Sequence, residues 1–431
     1  MLALIFKIKK YNMKKLLSLL LIAPLLLVAQ DKNDYTRSSL HLHLVDDFSF
    51  ESGDYVLRSY EKFHKEHFPE NYNNHSIDLN KIRLDNWQLT EDEMAAAGKG
   101  NSALGNAIRE SASDATGGTL KIQDNSLVKL QLDKYIAEKK IAHELIKKWW
   151  SIKADGSFSN AYITSRTLEN ESVESAALTA VQDMQTDVIN KLISNTFVVF
   201  TRLYYISNAV PAEVVRQAAY VLAEELSGML RDAAMKKADQ AYEKASEGYS
   251  VWSTSWLYKL DWDQSVFDLF LTTIELEGDT PKINLEKLNS LSFNLEFLNQ
   301  QKSTSLVTFS LKEEDKNRTQ DDIFDRSTIR NMDKVLVKLQ KKNDVFKPVF
   351  PLRDDFAIAA GTKEGLEGDE VFDVLEVKKG EYKSIGTMKV DKKRIWNNSF
   401  EIGKDVQPGL TYFKKGNKKF IPGIHYVKLK K

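Results

Sequence analysis

Cysteine is absent from this chain of 431 residues. Its absence excludes disulfide bonds, thiolate zinc sites, a cysteine nucleophile and a lipidated cysteine behind an export signal. An excess of charge of one sign is also missing, because 61 Lys and Arg balance 61 Asp and Glu. A chain with no net positive charge has no overall attraction for nucleic acid. We therefore expect neither a lipoprotein anchor nor a nucleic-acid partner.

Long apolar runs are missing after residue 30, so we expect no transmembrane span in the mature protein. The first thirty residues differ, because five lysines between Lys7 and Lys15 precede the uncharged run "LLSLLLIAPLLLV". A basic segment followed by a short apolar run is typical of a secretory signal. The sequence predicts a signal peptide over 1–29, cleavage near Ala29 and export to the periplasm or the outer membrane.

Apolar spacing predicts a mixed body over residues 31–347. "SLHLHLV" and residues 197–206 have the pattern of strands, and residues 98–118 read as a mobile loop. Apolar residues three and four apart predict long amphipathic helices over 127–150, 171–193, 211–246 and 321–341. The third of these helices carries a stripe that we expect to face the core, namely Val215, Ala218, Leu222, Leu226, Met229 and Ala233. These elements predict the α+β class.

The composition changes at "KPVFPL", which has two prolines in six residues and reads as a linker. Residues 31–348 contain 39 basic and 49 acidic residues, a net charge of −10, whereas residues 349–431 contain 17 and 12, a net charge of +5. Short strands separated by turns follow the linker. We predict that residues 349–431 form a small basic β-barrel of the SH3-like kind.

The stretch "GYSVWSTSWLYKLDW" holds three of the seven tryptophans. A period of two places Trp252, Trp256 and Trp262 on one face of a strand. Large aromatic side chains in such a row usually pack beneath a helix, and the preceding helix at 211–246 is the expected cover. The alternative is a ligand platform in which Trp252 and Trp256 stack on a sugar.

Five of the seven histidines lie between residues 41 and 75. His41 and His43 share one face of the first strand and are close enough to share a cation. A metal-dependent hydrolase needs further histidines and a carboxylate at later strand ends, and only His143 and His425 lie elsewhere. We therefore expect no functional metal at His41 and His43, and no cofactor.

The last twenty-one residues contain seven lysines and no acid. Lys414, Lys415, Lys418 and Lys419 are candidates for binding an anionic polymer, lipid head groups or an acidic envelope protein. The alternative is an ordinary basic surface that aids solubility.

Four stretches resemble an uncharacterised family of exported Gram-negative envelope proteins: "GYSVWSTSWLYKLDWDQSVFDLF", "LISNTFVVFTRLYYI", "RNMDKVLVKLQKK" and "GTKEGLEGDEVFDVLE". The resemblance spans most of the mature chain. It implies no activity and assigns no functional residue.

Taken together, these patterns favour a non-catalytic periplasmic or envelope protein that binds another envelope component. Two alternatives stay open. One is a secreted hydrolase of glycan or peptide, perhaps metal-dependent, and the other is a cell-surface glycan-binding protein with an exposed tryptophan strand.

Overall fold

The computed structural model describes residues 37–46, 53–96, 124–168, 186–246, 248–278, 280–307, 319–378, 381–401, 407–414 and 419–430. Four features predicted from the sequence lie outside these residues: the signal peptide, the loop at 98–118, Lys415 and Lys418.

Strands and helices are numbered here in chain order within the described residues. The strands are β1 Ser39–Asp46, β2 Asn73–Asn74, β3 Lys81–Arg83, β4 Thr196–Ser207, β5 Tyr249–Leu260, β6 Ile274–Glu277, β7 Thr280–Ile283, β8 Leu295–Val307, β9 Val349–Pro351, β10 Ala357–Ile358, β11 Val371–Lys378, β12 Glu381–Lys389, β13 Thr411–Tyr412 and β14 Tyr426–Leu429. The helices are α1 Gly53–Glu66, α2 Glu91–Ala96, α3 Asn125–Glu138, α4 Ile141–Trp149, α5 Ala161–Leu168, α6 Thr186–Ser194, α7 Ala209–Glu224, α8 Met229–Ala245, α9 Gln264–Leu271, α10 Leu285–Ser290 and α11 Gln320–Lys342.

A mixed sheet runs through the body with the strand order β2-β1-β4-β5-β8, and β3 also pairs with β1. β1 and β4 are parallel, whereas β4 with β5 and β5 with β8 are antiparallel. Helices and strands are both abundant, so the predicted α+β class is confirmed.

Helices cover both faces of this sheet. On one face, Val199 of β4 packs in a core with Leu336 of α11. On the other face, Val198 of β4 and Trp256 of β5 pack with Leu132 of α3. A strand that is buried on both faces is nearly continuous in apolar residues, which explains the sequence "TFVVFTRLYYIS" of β4.

Helix α11 is the main cover of the first face, and its N-terminal end follows from its sequence. The Thr319 hydroxyl accepts a hydrogen bond from the amide of Asp322, and the Asp322 carboxylate accepts one from the amide of Thr319. This capping box satisfies amide groups that the first helical turn leaves unpaired. The predicted helix at 321–341 is therefore confirmed at 320–342.

Two of the predicted long helices are broken in the structure. The helix predicted at 127–150 becomes α3 and α4, which are separated at Lys140 with its left-handed φ of 50°. The helix predicted at 211–246 becomes α7 and α8, which are separated at Gly228 with a φ of 58°. Periodicity alone does not show a one-residue break, because the apolar positions continue through it. Of the helix predicted at 171–193, the described part lies within α6.

The stripe predicted on α7 and α8 does not face the core. Val215, Leu222, Leu226 and Met229 are all exposed. The two helices form a hairpin with each other instead of lying on β5, and α3 covers Trp256 in their place. The expectation that this helix packs on the sheet is therefore wrong.

The C-terminal region has its own core of apolar residues between Phe350 and Val427. Its strands form an antiparallel sheet in the order β12-β11-β14-β9, and β10 pairs with β13 in a separate ribbon. These strands form no closed barrel within the residues that the structure describes, so the SH3-like barrel is not confirmed.

Residues 347–352, predicted to form a linker, are structured and largely covered. Phe346 is fully buried in the core of the body, and Lys347 is 4% exposed. Lys347 forms an ion pair with Asp344 at 2.9 Å. β9 then begins at Val349 and pairs with β14. The chain passes directly from the last helix of the body into the C-terminal sheet.

Side chains of α11 join the C-terminal domain to the body. Arg330 Nε donates to the carbonyl of Phe400 at 3.1 Å, and its guanidinium pairs with Glu401. Phe400 packs against the core of the body. On the neighbouring surface, Lys363 Nζ donates to the carbonyl of His67 at 3.3 Å. Across the described stretches, no helix combines the length and the apolar character needed to cross a membrane.

Candidate binding cleft

A cleft of about 860 Å³ lies between the body and the C-terminal sheet. The segment from Phe68 to Asn74 forms one wall, and β9 with its continuation to Asp354 forms the other. His425 and Tyr426 at the start of β14 also line it. Clefts between domains are common sites for ligands. We call this feature the interdomain cleft.

The body wall of the cleft is anchored by a buried tyrosine. The Tyr72 hydroxyl donates to the carbonyl of Phe346, and it accepts from the Gln340 amide at 3.1 Å. The rings of Tyr72 and Phe346 stack with their centroids 5.0 Å apart. Because this tyrosine joins the wall to the segment that leads into the C-terminal domain, both walls are held in one arrangement.

β2, which lines the interdomain cleft, pairs with the first residues of β1 in the central sheet. Asn73 and Asn74 pair in parallel with Ser39 and the following residue of β1. The buried Asn73 side chain donates to the carbonyl of Arg37 at 3.1 Å. Arg37, two residues before the first strand, is therefore held at the cleft.

Three arginines from distant parts of the sequence line the interdomain cleft: Arg37, Arg166 and Arg353. Arg166 is positioned by α5, where its guanidinium lies 4.8 Å from the centre of the Tyr162 ring and donates to the carbonyl of Asn74 at 3.1 Å. Arginine has a planar array of donors that matches carboxylate and phosphate groups.

Arg353 stands on a tight turn of the C-terminal wall. Its amide donates to the carbonyl of Ala357 at 2.8 Å, and the Ala357 amide donates back at 3.3 Å. Asp355 and Phe356 inside this turn have left-handed φ values of 56° and 54°. A turn closed by two hydrogen bonds fixes the backbone that carries Arg353 and Asp354 into the cleft.

His425 gives the C-terminal wall a neutral polar group. Its Nδ1 accepts a hydrogen bond from the amide of Ile421 at 2.9 Å. Burial lowers the pKa of His425 from its ordinary value. The formal charges that line the cleft are then the three arginines against Glu70 and Asp354.

His41 and His43, the candidate metal ligands, lie away from this cleft beneath α3 and α4. His41 Nε2 and His43 Nδ1 each donate to the same carbonyl, that of Leu79, at 3.0 Å. Burial lowers the pKa of His41 to about 3 and that of His43 well below its usual value. Both rings are therefore neutral, and their hydrogen bonds hold the segment between β2 and β3 against β1.

A third buried histidine extends this network. His75 Nε2 donates to the carbonyl of Leu145 at 3.0 Å, and its ring stacks on Trp149 at 4.6 Å. Nowhere in the described residues do three or more His, Asp or Glu side chains come together as metal ligands. The expectation that His41 and His43 hold no functional metal stays a prediction.

Trp252 and Trp256 lie on β5, whereas Trp262 lies two residues beyond its end, and the three side chains have different surroundings. Trp256 is fully buried, and Trp262 is buried with its Nε1 donating to Asn190 at 2.9 Å. Trp252 is half-buried and stacks on Tyr204, with the ring centroids 6.3 Å apart. A sugar cannot stack on Trp252 and Trp256 together, because the second ring is covered by the body.

Of the four candidate lysines, the structure describes Lys414 and Lys419. Both are exposed, and neither lines the interdomain cleft. Lys419 Nζ lies 5.5 Å from the centre of the Phe420 ring. These two lysines therefore belong to an outer surface of the C-terminal domain, separate from the three arginines.

Sequence reasoning missed the arginines of the cleft. They are separated by more than a hundred residues, and no spacing connects them. The one available signal was local, since Arg37 lies two residues before a predicted strand and Arg353 directly follows "KPVFPL". Residues at strand ends often carry binding functions.

Comparison with known proteins found no matching family model, no matching curated protein and no matching solved structure. The resemblance to exported envelope proteins therefore stays a prediction.

Proposed function

We propose that this protein is an exported, non-catalytic envelope protein that binds a partner bearing carboxylate or phosphate groups in the interdomain cleft. The observation that supports this most is the convergence of three arginines on one cleft between two domains. Charge-assisted hydrogen bonds from arginine to such anions are about twice as strong as neutral ones.

Two acidic residues of the interdomain cleft affect which anions it can bind. Glu70 and Asp354 are exposed within it. These two carboxylates repel a surface that is anionic throughout. A ligand with spaced anionic groups can instead place each of its anionic groups against an arginine. Unfavourable contacts of this kind contribute to specificity as much as favourable ones.

Binding of two soluble or vesicle-borne probes to the full mature chain tests the proposal. Peptidoglycan fragments supply carboxylates, and vesicles containing phosphatidylglycerol supply phosphates. We expect one of the two to bind with an affinity that falls as salt rises, because ions screen exposed charges beyond about 8 Å at physiological ionic strength. Arg37→Gln and Arg353→Gln should each weaken this binding about tenfold, equivalent to 1.4 kcal/mol.

Two control variants separate the cleft from other basic surfaces. Arg231→Gln removes an exposed charge on α8 and should leave binding unchanged. Lys414→Gln with Lys419→Gln tests the lysine surface. If the lysine variant removes binding and the two arginine variants do not, the cleft is not the site. Failure of both probes at low salt contradicts the proposal as a whole.

A further inference from the structure

One face of α11 meets the C-terminal domain through four side chains, which we call the docking stripe: Arg326, Arg330, Asp333 and Val337. They lie four, three and four residues apart, so they share one side of the helix. Both arginines pair with Glu401, at 3.9 Å for Arg326, and Arg330 also donates to the carbonyl of Phe400. The N-terminal half of the stripe is therefore joined to the C-terminal domain by ion pairs.

The turn at 361–365 of the C-terminal domain packs on the other half of the stripe. Gly365 has a left-handed φ of 76°, and a Cβ atom on it would lie only 2.6 Å from Cγ1 of Val337. Glycine is needed here because the backbone of the turn touches the helix. The Asn398 side chain donates to the Glu364 carboxylate at 2.8 Å and holds the turn in shape.

Asp333 lies between these two contacts and is 8% exposed. The charged groups that face it are Arg330 of α11 and Lys363 and Glu364 of the turn. Among the described residues, no group donates a hydrogen bond to its carboxyl oxygens and no cation forms an ion pair with them. A buried carboxylate without such partners is costly, so the docked arrangement favours the protonated acid.

We propose that protonation of Asp333 controls the docking of the C-terminal domain on α11, so that acid strengthens the contact and loss of the proton weakens it. An ionised Asp333 gains hydration when the turn at 361–365 moves off the helix. Burial raises the pKa of Asp333 to about 7, whereas a solvated aspartate has a pKa of about 3.9. Between these values the separated arrangement releases a proton that the docked one retains, so rising pH favours separation.

The same turn also touches the body wall of the interdomain cleft. Asn71, which lines the cleft, donates to the Glu364 carboxylate at 3.4 Å. Lys363 Nζ donates to the carbonyl of His67 at 3.3 Å. Both contacts break when the turn leaves α11, so the walls of the cleft separate with it. The docking equilibrium does not depend on what the cleft binds, and it can be measured without a ligand.

Two other titratable groups at this contact respond to pH. Burial raises the pKa of Glu364, so this acid acts in the same direction as Asp333. His67 acts in the opposite direction, because burial lowers its pKa and acid that protonates it weakens docking. The centre of its ring lies 4.4 Å from that of Phe400 across the contact. His67→Gln should therefore steepen the dependence of docking on pH.

Distances between two spin labels on the mature full-length chain test the proposal. The chain has no cysteine, so Lys65→Cys on α1 and Lys392→Cys in the C-terminal domain, both exposed, provide the two label sites. Val337→Ala weakens the contact with Gly365 and leaves every charge in place. In this background we expect the ratio of docked to separated molecules to fall about a hundredfold from pH 5 to pH 8, given pKa values of about 7 and 3.9.

Asp333→Asn, added to the Val337→Ala background, should keep the domain docked at both pH values, because the amide cannot ionise. Asp369→Asn changes an exposed aspartate of the C-terminal domain and should leave the pH dependence unchanged. Distances that are identical at pH 5 and pH 8 in the Val337→Ala background would overturn the proposal, as would a pH dependence that survives Asp333→Asn. Circular dichroism follows the fold, and a loss of helix at pH 8 in place of a change in distance would also overturn it.

Discussion

Helices α11 and α7 have similar apolar patterns and opposite environments. In α11 the stripe residues Ile329, Met332 and Leu336 are at most 3% exposed. In α7 the stripe residues Val215 and Leu222 are about two-thirds exposed. A periodic apolar stripe thus indicates that one face of a helix can be buried against another surface. It does not show whether the cover comes from the same chain or from another molecule.

The position of each helix relative to the sheet explains the difference. α11 lies across the sheet, where Asn331 donates to the carbonyl of Val251 in β5 at 3.0 Å. α7 begins at Ala209, two residues after the last residue of β4, and the chain returns to the sheet only at Tyr249. No strand lies beneath the outer half of α7 among the residues described, so its apolar side chains have no sheet surface to pack on.

The largest expected effect is in the core beneath α11. Leu336→Ala should lower the free energy of unfolding by about 2–5 kcal/mol, because it leaves a cavity among buried side chains. Urea denaturation followed by circular dichroism measures this change. Lys334→Ala, on the exposed side of the same helix, controls for helix propensity and should change stability by about 0.5 kcal/mol at most. Equal effects at the two positions would contradict the described packing of α11.

The next effect concerns the contact of α11 with the C-terminal domain. Burial raises the pKa of Asp333 to about 7, with Lys363, Glu364 and Arg330 as its charged neighbours. An aspartate in an unfolded chain has a pKa of about 3.9. As pH rises between these values, the unfolded chain releases a proton that the folded chain retains. Rising pH therefore destabilises the folded state across this window.

Asp333→Asn removes this ionisation. The variant should be more stable than the wild type by roughly 2–4 kcal/mol at pH 8, and the two should differ by much less at pH 4. Thermal unfolding at both pH values measures the difference. Asp268→Asn changes an exposed aspartate of α9 and should show no such dependence. A constant difference between wild type and Asp333→Asn at all pH values would contradict the buried position of the carboxyl group.

The smallest effect is expected on the hairpin. Leu222→Ala should change the free energy of unfolding, measured by the same urea denaturation, by about 0.5 kcal/mol or less, because the side chain is exposed. A loss as large as that of Leu336→Ala would show that Leu222 is buried.

Local patterns predicted several elements well. The strand at 197–206 and the helix at 321–341 are present within a residue or two. Apolar residues at a fixed period produce these elements through contacts with near neighbours, so the period is visible in the sequence. The breaks at Lys140 and Gly228 were missed, because one residue with a left-handed φ leaves the apolar period unchanged on both sides.

The candidate sites depended on more distant contacts. His41 and His43 were correctly placed on one face of a strand, but their common acceptor, the carbonyl of Leu79, lies more than thirty residues away. The interdomain cleft unites Arg37 with Arg353 across nearly the whole described chain. Neither relation has a local signature, because each requires the sheet and the C-terminal domain to be assembled first.

The sequence by itself determined the α+β class, the main strands and the helix that covers the sheet. It also determined which side chains of each strand share one face of the sheet. Those properties arise from the two- and 3.6-residue periods of the backbone. Only the tertiary structure decided which apolar stripes are covered, which basic side chains converge and which carboxyl group is buried. Burial and charge depend on residues that are distant in the chain and meet only after folding.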